Sequence, residues 1–347
     1  MGPARVANGS AVQCHDPSGA RSIVAEEPAL RVSVPVAENF VLDVCLPFLQ
    51  SAQNPDGGWG FHPGSQSCVE PTCWALQALD NSAPAELRGE IRSRGFQFLR
   101  KAQLPDGSWA SSAEESTGSF VTSLVCWALL SDCDSRNALA AGLRWLIDDR
   151  PQASGFWRRC LGRITNSQRI SRQNDSYLGW GWTPNTASWV EPTAIAAIVL
   201  DLSPPELLPS GANERRRSAE DVLYDRMCPG GGWNCGNPLV YGVAGQPLAI
   251  PTAWALLALR KHRQRQENVL SLNWLEQTVI EERGPGSLAL ARICLESYGR
   301  TWPEAVPSPE NLYGNHQFMQ SVPVTAWVCL AASPNRQWLF AESREAR

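Results

Sequence analysis

Two glutamates stand in the same four-residue segment at widely separated places in the chain. Residues 69–72 and 190–193 both read Val-Glu-Pro-Thr, with Glu70 and Glu191 in second place. A carboxylic acid that aromatic side chains shield from water has a raised pKa, so it can stay protonated and act as a general acid. The segment is also a common helix start, because the helix dipole favours an acid and proline in the first turn. The duplication favours this structural interpretation, since a catalytic acid is normally needed once.

Other side chains with catalytic or metal-binding potential are weaker candidates. Asp132 and Asp134 follow an apolar helical segment, a position typical of a cap for a helix that begins near Arg136. His316 lies in a predicted loop, and the chain has only four histidines. The eleven cysteines form no Cys-x-x-Cys pair, and several lie on apolar helix faces. We therefore expect reduced, buried thiols, and neither a metal nor a cofactor.

A seven-residue phrase recurs and indicates how the chain is built. Residues 53–59 read Gln-Asn-Pro-Asp-Gly-Gly-Trp, and residues 103–109 read Gln-Leu-Pro-Asp-Gly-Ser-Trp. Weaker copies lie at residues 178–182 and 229–233. Proline and aspartate favour turn entry, glycine accepts positive φ, and the tryptophan can fold back over the turn as a structural rivet. A turn that recurs with its flanking helices is typical of a repeat array.

Apolar periodicity predicts an all-α protein, with no strand-like alternation of useful length. Helices that precede a turn are apolar on one side, whereas those that follow are apolar nearly all round, which requires two concentric layers. The centre is then a cavity or a plugged core. The predicted helices span 37–53, 70–82, 85–103, 119–131, 136–149, 190–202, 214–227, 250–264, 266–282, 286–299 and 321–332.

Length and charge limit the organisation and the partners. The 347 residues suit a single domain at 37–347, preceded by an N-terminal arm at 1–36 of uncertain order. An arginine-rich insertion at 150–176 and a proline-containing linker at 203–217 interrupt the repeats. A net charge of -4 gives no field for holding nucleic acid. The first forty residues hold no apolar run of signal-peptide or membrane-span length, so we expect a cytoplasmic protein.

The paired turn phrases, together with Pro-Thr-Ala-Trp-Ala-Leu at 251–256, resemble the prenyltransferase and squalene-oxidase repeats. Squalene and oxidosqualene cyclases, class II diterpene cyclases and the β subunits of protein prenyltransferases share these repeats. The resemblance covers about residues 40–332. It implies an (α/α)6 toroid, a double ring of helices around a central, largely apolar cavity.

The resemblance leaves the activity open, because this chain departs from the motifs of each branch. Class II cyclases protonate an alkene or epoxide with an aspartate at the head of an inner helix. Aligned on the threonine, Glu70 and Glu191 take the place of the central acid of that motif. Protein prenyltransferases bind zinc through Asp, Cys and His, and the matching positions at 250–252 and 323–325 lack these ligands.

The resemblance also implies which side chains would contact a substrate. Inner aromatic residues would shape a carbocation and stabilise it through their π faces. These are Trp180, Trp182, Trp189 and Trp254. Arg158, Arg159 and Arg163 could clamp a diphosphate, could dock on anionic lipid as a peripheral membrane contact, or could simply be solvated.

Three functional hypotheses follow. The first is a terpenoid-cyclase-like protein that binds an isoprenoid, with acid-initiated cyclisation by Glu191 or Glu70. The second is a toroid that binds a lipid, an isoprenoid or a peptide without chemistry. The third is a relative of the prenyltransferase β subunit, which would demand zinc and a helical partner chain.

Overall fold

The computed structural model describes residues 39–149, 173–174, 176–315 and 320–333. All of them belong to one compact unit. Twelve α-helices lie in the described part of the chain. The odd-numbered helices are α1 (Leu46–Ser51), α3 (Ala85–Lys101), α5 (Arg136–Asp148), α7 (Ala212–Asp225), α9 (Gln266–Thr278) and α11 (Pro309–Asn315). The even-numbered helices are α2 (Val69–Ser82), α4 (Val121–Leu129), α6 (Val190–Leu202), α8 (Ala249–Ala258), α10 (Pro285–Ser297) and α12 (Val322–Ala332).

The even-numbered helices form a closed inner ring. Each contacts the next in chain order, and α12 returns to contact α2. The odd-numbered helices pack outside: α3 on α2, α5 on α4, α7 on α6 and α9 on α8, with α11 against α10 and α12, and α1 against α12. The inner helix α6 is buried along almost its whole length, as its all-round apolar sequence requires. These contacts confirm the all-α (α/α)6 toroid.

A tryptophan clasp joins each of four outer helices to the inner helix that follows. The clasp tryptophan donates its indole N–H to a leucine carbonyl on the outer helix, at 2.5–2.9 Å. Its main-chain N–H donates to a threonine hydroxyl at the head of the inner helix, at 2.8–3.0 Å. The pairs are Trp59 with Thr72, Trp109 with Thr122, Trp180 with Thr193 and Trp233 with Thr252. The tryptophan of the turn phrase therefore has the predicted structural role, and it fulfils that role through two hydrogen bonds.

The turn glycine allows each outer helix to reach the next. Gly57 has φ +93°, and an added Cβ would lie 2.5 Å from the carbonyl oxygen of Arg94 on α3. The Gln53 side-chain amide donates to the Ile91 carbonyl of the same helix at 2.9 Å. Gly107 and Gln103 repeat both features against α5. Because any side chain would clash there, glycine at this position fixes the spacing of the outer ring.

Three local predictions were wrong. Helix α11 was missed, because its short sequence carries little apolar periodicity. A two-stranded hairpin, Leu239–Val240 with Val243–Ala244, interrupts the helices despite the absence of a long alternating pattern. The linker predicted at 203–217 is too long, since α7 already begins at Ala212. Arg215, which lies within that predicted linker, is a buried residue of α7, with 2% of its surface exposed.

The clasp predicts a stability loss when the threonine hydroxyl is removed. Thr252→Val keeps the side-chain shape but leaves the buried main-chain N–H of Trp233 without its acceptor. We expect a loss of about 1–3 kcal/mol in the free energy of unfolding, the usual desolvation cost of an unsatisfied buried donor. The urea midpoint, followed by far-ultraviolet circular dichroism, measures it. The control is Thr117→Val at an exposed position, which should change little. Equal midpoints for the two variants would contradict the role of the clasp.

Candidate active site

Glu70 faces the axis of the inner ring. It precedes Trp74 by four residues on α2, so the two side chains share a helix face about 6 Å apart along the helix. The Trp74 indole stacks on Trp254 of α8, with ring centroids 5.6 Å apart. Since α8 lies opposite α2 in the inner ring, the stack crosses the axis. The Glu70 side chain, one turn nearer the helix head, is therefore directed toward the same central region.

Glu191 takes the equivalent position on α6. Thr72 and Thr193 accept matching clasp bonds, and each glutamate stands two residues before its threonine. Both glutamates are half-buried. Burial raises the pKa of Glu70, and the Trp74 indole partly offsets this rise. Burial and then the charge of Glu70 raise the pKa of Glu191 to about 7. The fold thus brings the two glutamates, here called the acid pair, within electrostatic range of each other.

An aromatic wall stands between the two members of the acid pair. Phe120 immediately precedes α4 and stands two residues before Thr122, as the glutamates stand two residues before their threonines on the neighbouring helices. Its ring meets the edge of Trp182 with centroids 4.6 Å apart. Its main-chain N–H donates to the Trp182 carbonyl at 3.0 Å. Burial is the largest cause of the raised pKa of both glutamates.

The head of α6 is held by a loop that carries a thiol. The Val190 N–H donates to the Cys235 carbonyl at 3.1 Å, and an added Cβ at Gly236 would lie 3.7 Å from the Trp189 ring. The charge of Glu191 adds to burial in raising the pKa of the Cys235 thiol. Trp182 and Trp189, both predicted to contact substrate, are half-buried beside the acid pair.

Four indoles lie beneath the acid pair and are called here the indole floor: Trp74, Trp127, Trp254 and Trp327. Trp74 meets Trp254 in a stack and meets Trp327 edge-on at 5.6 Å. Trp127 meets both stacked rings edge-on at 6.1 Å. Trp74, Trp127 and Trp254 are at most 2% exposed. The sequence pointed to Trp254 alone. The signal for Trp74 and Trp327 is their position two residues after a helix-head threonine, as in Trp254.

Trp180, also predicted to contact substrate, is one of the four clasp tryptophans. Its indole N–H donates to the Leu146 carbonyl at 2.9 Å, and it is 2% exposed. The Arg215 guanidinium lies over its ring at 4.0 Å. Arg215 also donates to the carbonyls of Asp149 and Leu178, the residues that border the insertion. In the structure Trp180 therefore serves the scaffold, and Arg215 is a positioning residue that the sequence did not reveal.

Several candidates lie apart from the acid pair or outside the described residues. Arg158, Arg159, Arg163 and His316 are outside the residues that the structure describes. Asp132 does not cap a helix through its side chain, contrary to the prediction. Its carboxylate instead accepts from Arg100 at 2.7 Å and from the Ser135 hydroxyl. Asp132 thus belongs to an ion pair that links α3 to the start of α5.

Two further properties concern the described residues only. No three or more His, Cys, Asp and Glu side chains stand there in an arrangement that could hold a metal ion. Within the same part of the chain, no helix combines the length and apolar character needed to cross a bilayer. The nine described cysteines are free thiols, six of them buried, as the apolar helix faces predict.

Comparisons with known proteins agree with the family resemblance inferred from the repeats. The chain is 28% identical over 244 residues to a drimenyl diphosphate synthase of Streptomyces showdoensis, covering 60% of this chain and 44% of that protein. It is 31% identical over 136 residues to protostadienol synthase A of Arthroderma gypseum, covering 35% of this chain and 18% of that one. No protein-family model matches the chain. These relatives are terpene cyclases, which confirms the resemblance, and the protein is terpenoid-cyclase-like.

The chain spans less than half the length of these curated relatives. Among solved structures, an α-1,6-mannanase of Salegentibacter sp. matches with a TM-score of 0.53 and 8% identity, over 85% of this chain and 98% of that chain. At this identity the likeness concerns the fold alone. It agrees with the double ring of helices.

The raised pKa of Glu191 predicts a measurable pH dependence of stability. The folded state holds this proton up to about pH 7, whereas the ordinary glutamate value is 4.5. The folded protein binds more protons between these values, so the stability that Glu191 contributes is fully present below pH 4.5 and is lost as the pH rises through about 7. Relative to Glu191→Gln, the wild type should lose up to about 3 kcal/mol between pH 4 and pH 8. Urea unfolding across this range measures the difference.

The matched control for this slope is Glu90→Gln, which neutralises an exposed glutamate on α3. It should keep the wild-type slope. Glu70→Gln should lower the pKa of Glu191, because it removes the charge that raises it. Carbon-13 NMR of the glutamate carboxyls, recorded across the pH range, measures the pKa of Glu191 directly. A Glu191 pKa that stays near 4.5 in the wild type would refute the electrostatic coupling.

Proposed function

We propose that the protein is a small terpenoid cyclase in which Glu191 starts the reaction by protonating an isoprenoid alkene or epoxide. The observation that carries this proposal is the electrostatic coupling of two half-buried carboxyls with raised pKa, one helical turn from a layer of indoles. Glu191 has the pKa suited to an acid at neutral pH. The sequence relatives support the reaction class, since they are terpene cyclases.

The proposed step is balanced as a proton transfer. The protonated Glu191 gives its proton to the terminal carbon of an alkene, or to the oxygen of an epoxide, and becomes a carboxylate. The positive charge passes to carbon, where an internal π bond of the same chain attacks it and closes a ring. Loss of a proton from the final cation yields the neutral product, and proton uptake restores Glu191. No oxidant or second substrate enters.

Glu70 and the aromatic side chains have supporting roles in this scheme. The negative charge of Glu70 raises the pKa of Glu191 and so keeps the proton on it. In this scheme the aromatic rings near the acid pair, Trp182 and Phe120 at the helix heads and the Trp74–Trp254 stack below, stabilise a developing cation through their π electrons. Aromatic faces attract a cation without a nucleophile that would capture it. The two equal segments thus acquire different roles through their surroundings.

Replacement of Glu191 tests the proposal. Glu191→Gln should lower turnover of a farnesyl-, geranylgeranyl- or squalene-type substrate at least about a hundredfold, because the amide holds no transferable proton. Glu70→Gln should leave the acid in place but shift the fall in activity to lower pH. Product formation is measured by gas chromatography and mass spectrometry.

Glu90→Gln, at the exposed position on α3, is the control and should keep wild-type turnover. Circular dichroism verifies that each variant is folded. Full product formation by folded Glu191→Gln would contradict the assignment of Glu191 as the general acid. Ligand-dependent thermal stabilisation of the wild type without any product would instead favour the non-catalytic binding toroid.

A further inference from the structure

A cavity of about 440 Å³, here called the distal cavity, lies at the end of α6 that is remote from the acid pair. Its walls come from the last turns of α6, the segment 203–211 and the first turns of α7. Asp201 lines it and stands ten residues after Glu191 on the same helix, about 15 Å away along the helix axis. A cavity of this volume has the usual size of a small-molecule site. The proposed cyclisation makes no use of it.

The chain segment along one side of the distal cavity is conformationally restricted. Prolines fix φ at three of its nine positions, namely Pro204, Pro205 and Pro209. The Ala212 N–H donates to the Pro209 carbonyl at 3.2 Å, and Gly211 takes φ +87°, which turns the chain into α7. A ligand would therefore find the cavity already formed, without the entropy cost of ordering a loop.

The distal cavity has an apolar side and a cationic side. Leu200 and Leu208 lie on the apolar side. On the other side, the Arg216 Nη1 donates to the Asp201 carboxylate at 2.6 Å, and the Lys261 Nζ donates to the same oxygen at 2.7 Å. Two cations thus share one carboxylate, which leaves a positive charge in excess. The Arg216 side chain keeps 28% of its surface exposed, so its guanidinium can still receive a ligand.

The start of α7 adds main-chain donors to the cationic side. No side chain caps this helix start. In the part of the chain that the structure describes, the N–H groups of Asn213 and Glu214 make no hydrogen bond. Such groups point beyond the helix start and, with the helix dipole, favour an anion. The Glu214 carboxylate is exposed in the same turn and opposes an anion there.

We infer that the distal cavity binds the phosphate monoester of a small apolar group. The guanidinium of Arg216 and the N–H groups of Asn213 and Glu214 donate to the phosphate oxygens. Leu200 and Leu208 contact the apolar group. A phosphate monoester offers three acceptor oxygens and more negative charge than a carboxylate, which matches three donors beside an excess cation. The inference goes beyond the proposed function and does not depend on it.

Calorimetric titration of the full chain with phenyl phosphate tests the inference. Phenyl phosphate should bind at least about tenfold more tightly than inorganic phosphate, because its ring buries apolar surface. Arg216→Gln should weaken phenyl phosphate binding at least about tenfold. The matched control is Arg217→Gln, which neutralises the neighbouring exposed arginine that does not line the cavity and should change the Kd by less than about twofold. Equal affinities of the two folded variants would overturn the inference, and so would a wild type that binds neither probe.

A second variant should gain affinity, which mere structural damage would not produce. Glu214→Gln removes the carboxylate that opposes the anion at the start of α7. It should tighten phenyl phosphate binding about threefold at low salt, and the gain should shrink as salt screens the charge. Unchanged or weaker binding by this folded variant would contradict the contact at the helix start.

A third measurement needs no variant, in case Arg216→Gln does not fold. Amide NMR of the wild type should show the Asn213 and Glu214 signals shifting saturably with phenyl phosphate. Saturable shifts confined to residues outside the distal cavity would overturn its assignment as the site. Sedimentation of the wild type with vesicles that contain phosphatidic acid, without binding of phenyl phosphate, would place the phosphate on a lipid headgroup and overturn the small-molecule class.

Discussion

The hydrogen bond from a tryptophan main-chain N–H to a helix-head threonine is the constraint on which the rest of this structure depends. In each of the four clasps this bond fixes the position of the first turn of the inner helix relative to the clasp tryptophan. The loop between Trp233 and Thr252 is six residues longer than that of the other three clasps because it contains the hairpin, yet the bond is the same. The loop length can therefore vary while the height of the helix head stays constant. Side chains from different repeats then meet in level rings.

The level rings explain why the acid pair and the indole floor exist. Residues two before the threonine form the upper ring, and residues two after it form the lower one. Glu70 and Glu191 fall in the first, and Trp74, Trp254 and Trp327 fall in the second. The clasps place carboxyls above aromatic faces without any direct bond between distant repeats. A shift of one residue at a single helix head would turn its glutamate by about 100° away from the axis.

The sequence was sufficient for the double ring but not for the site. Recurring glycine turns and all-round apolar helices are local signals, so the layers could be predicted from them. The electrostatic coupling of Glu70 with Glu191 depends on the order of helices around the ring, which no local pattern contains. The duplication favours a structural interpretation, yet the order of the inner helices places the two glutamates on either side of α4, within electrostatic range of each other. Arg215 was missed for a similar reason, since its partner Trp180 lies 35 positions away in the sequence.

The charge state of the acid pair follows from which of three effects is largest. Each glutamate lies in the first turn of an inner helix, where the dipole stabilises a carboxylate by about 0.3–1 kcal/mol. That would lower a pKa by less than about one unit. Burial and the neighbouring carboxylate act in the opposite direction, and the pKa of Glu191 rises from 4.5 to about 7. Burial therefore outweighs the helix dipole. The same helix head that would accommodate an anion in water holds a proton when it is buried beside a second carboxyl.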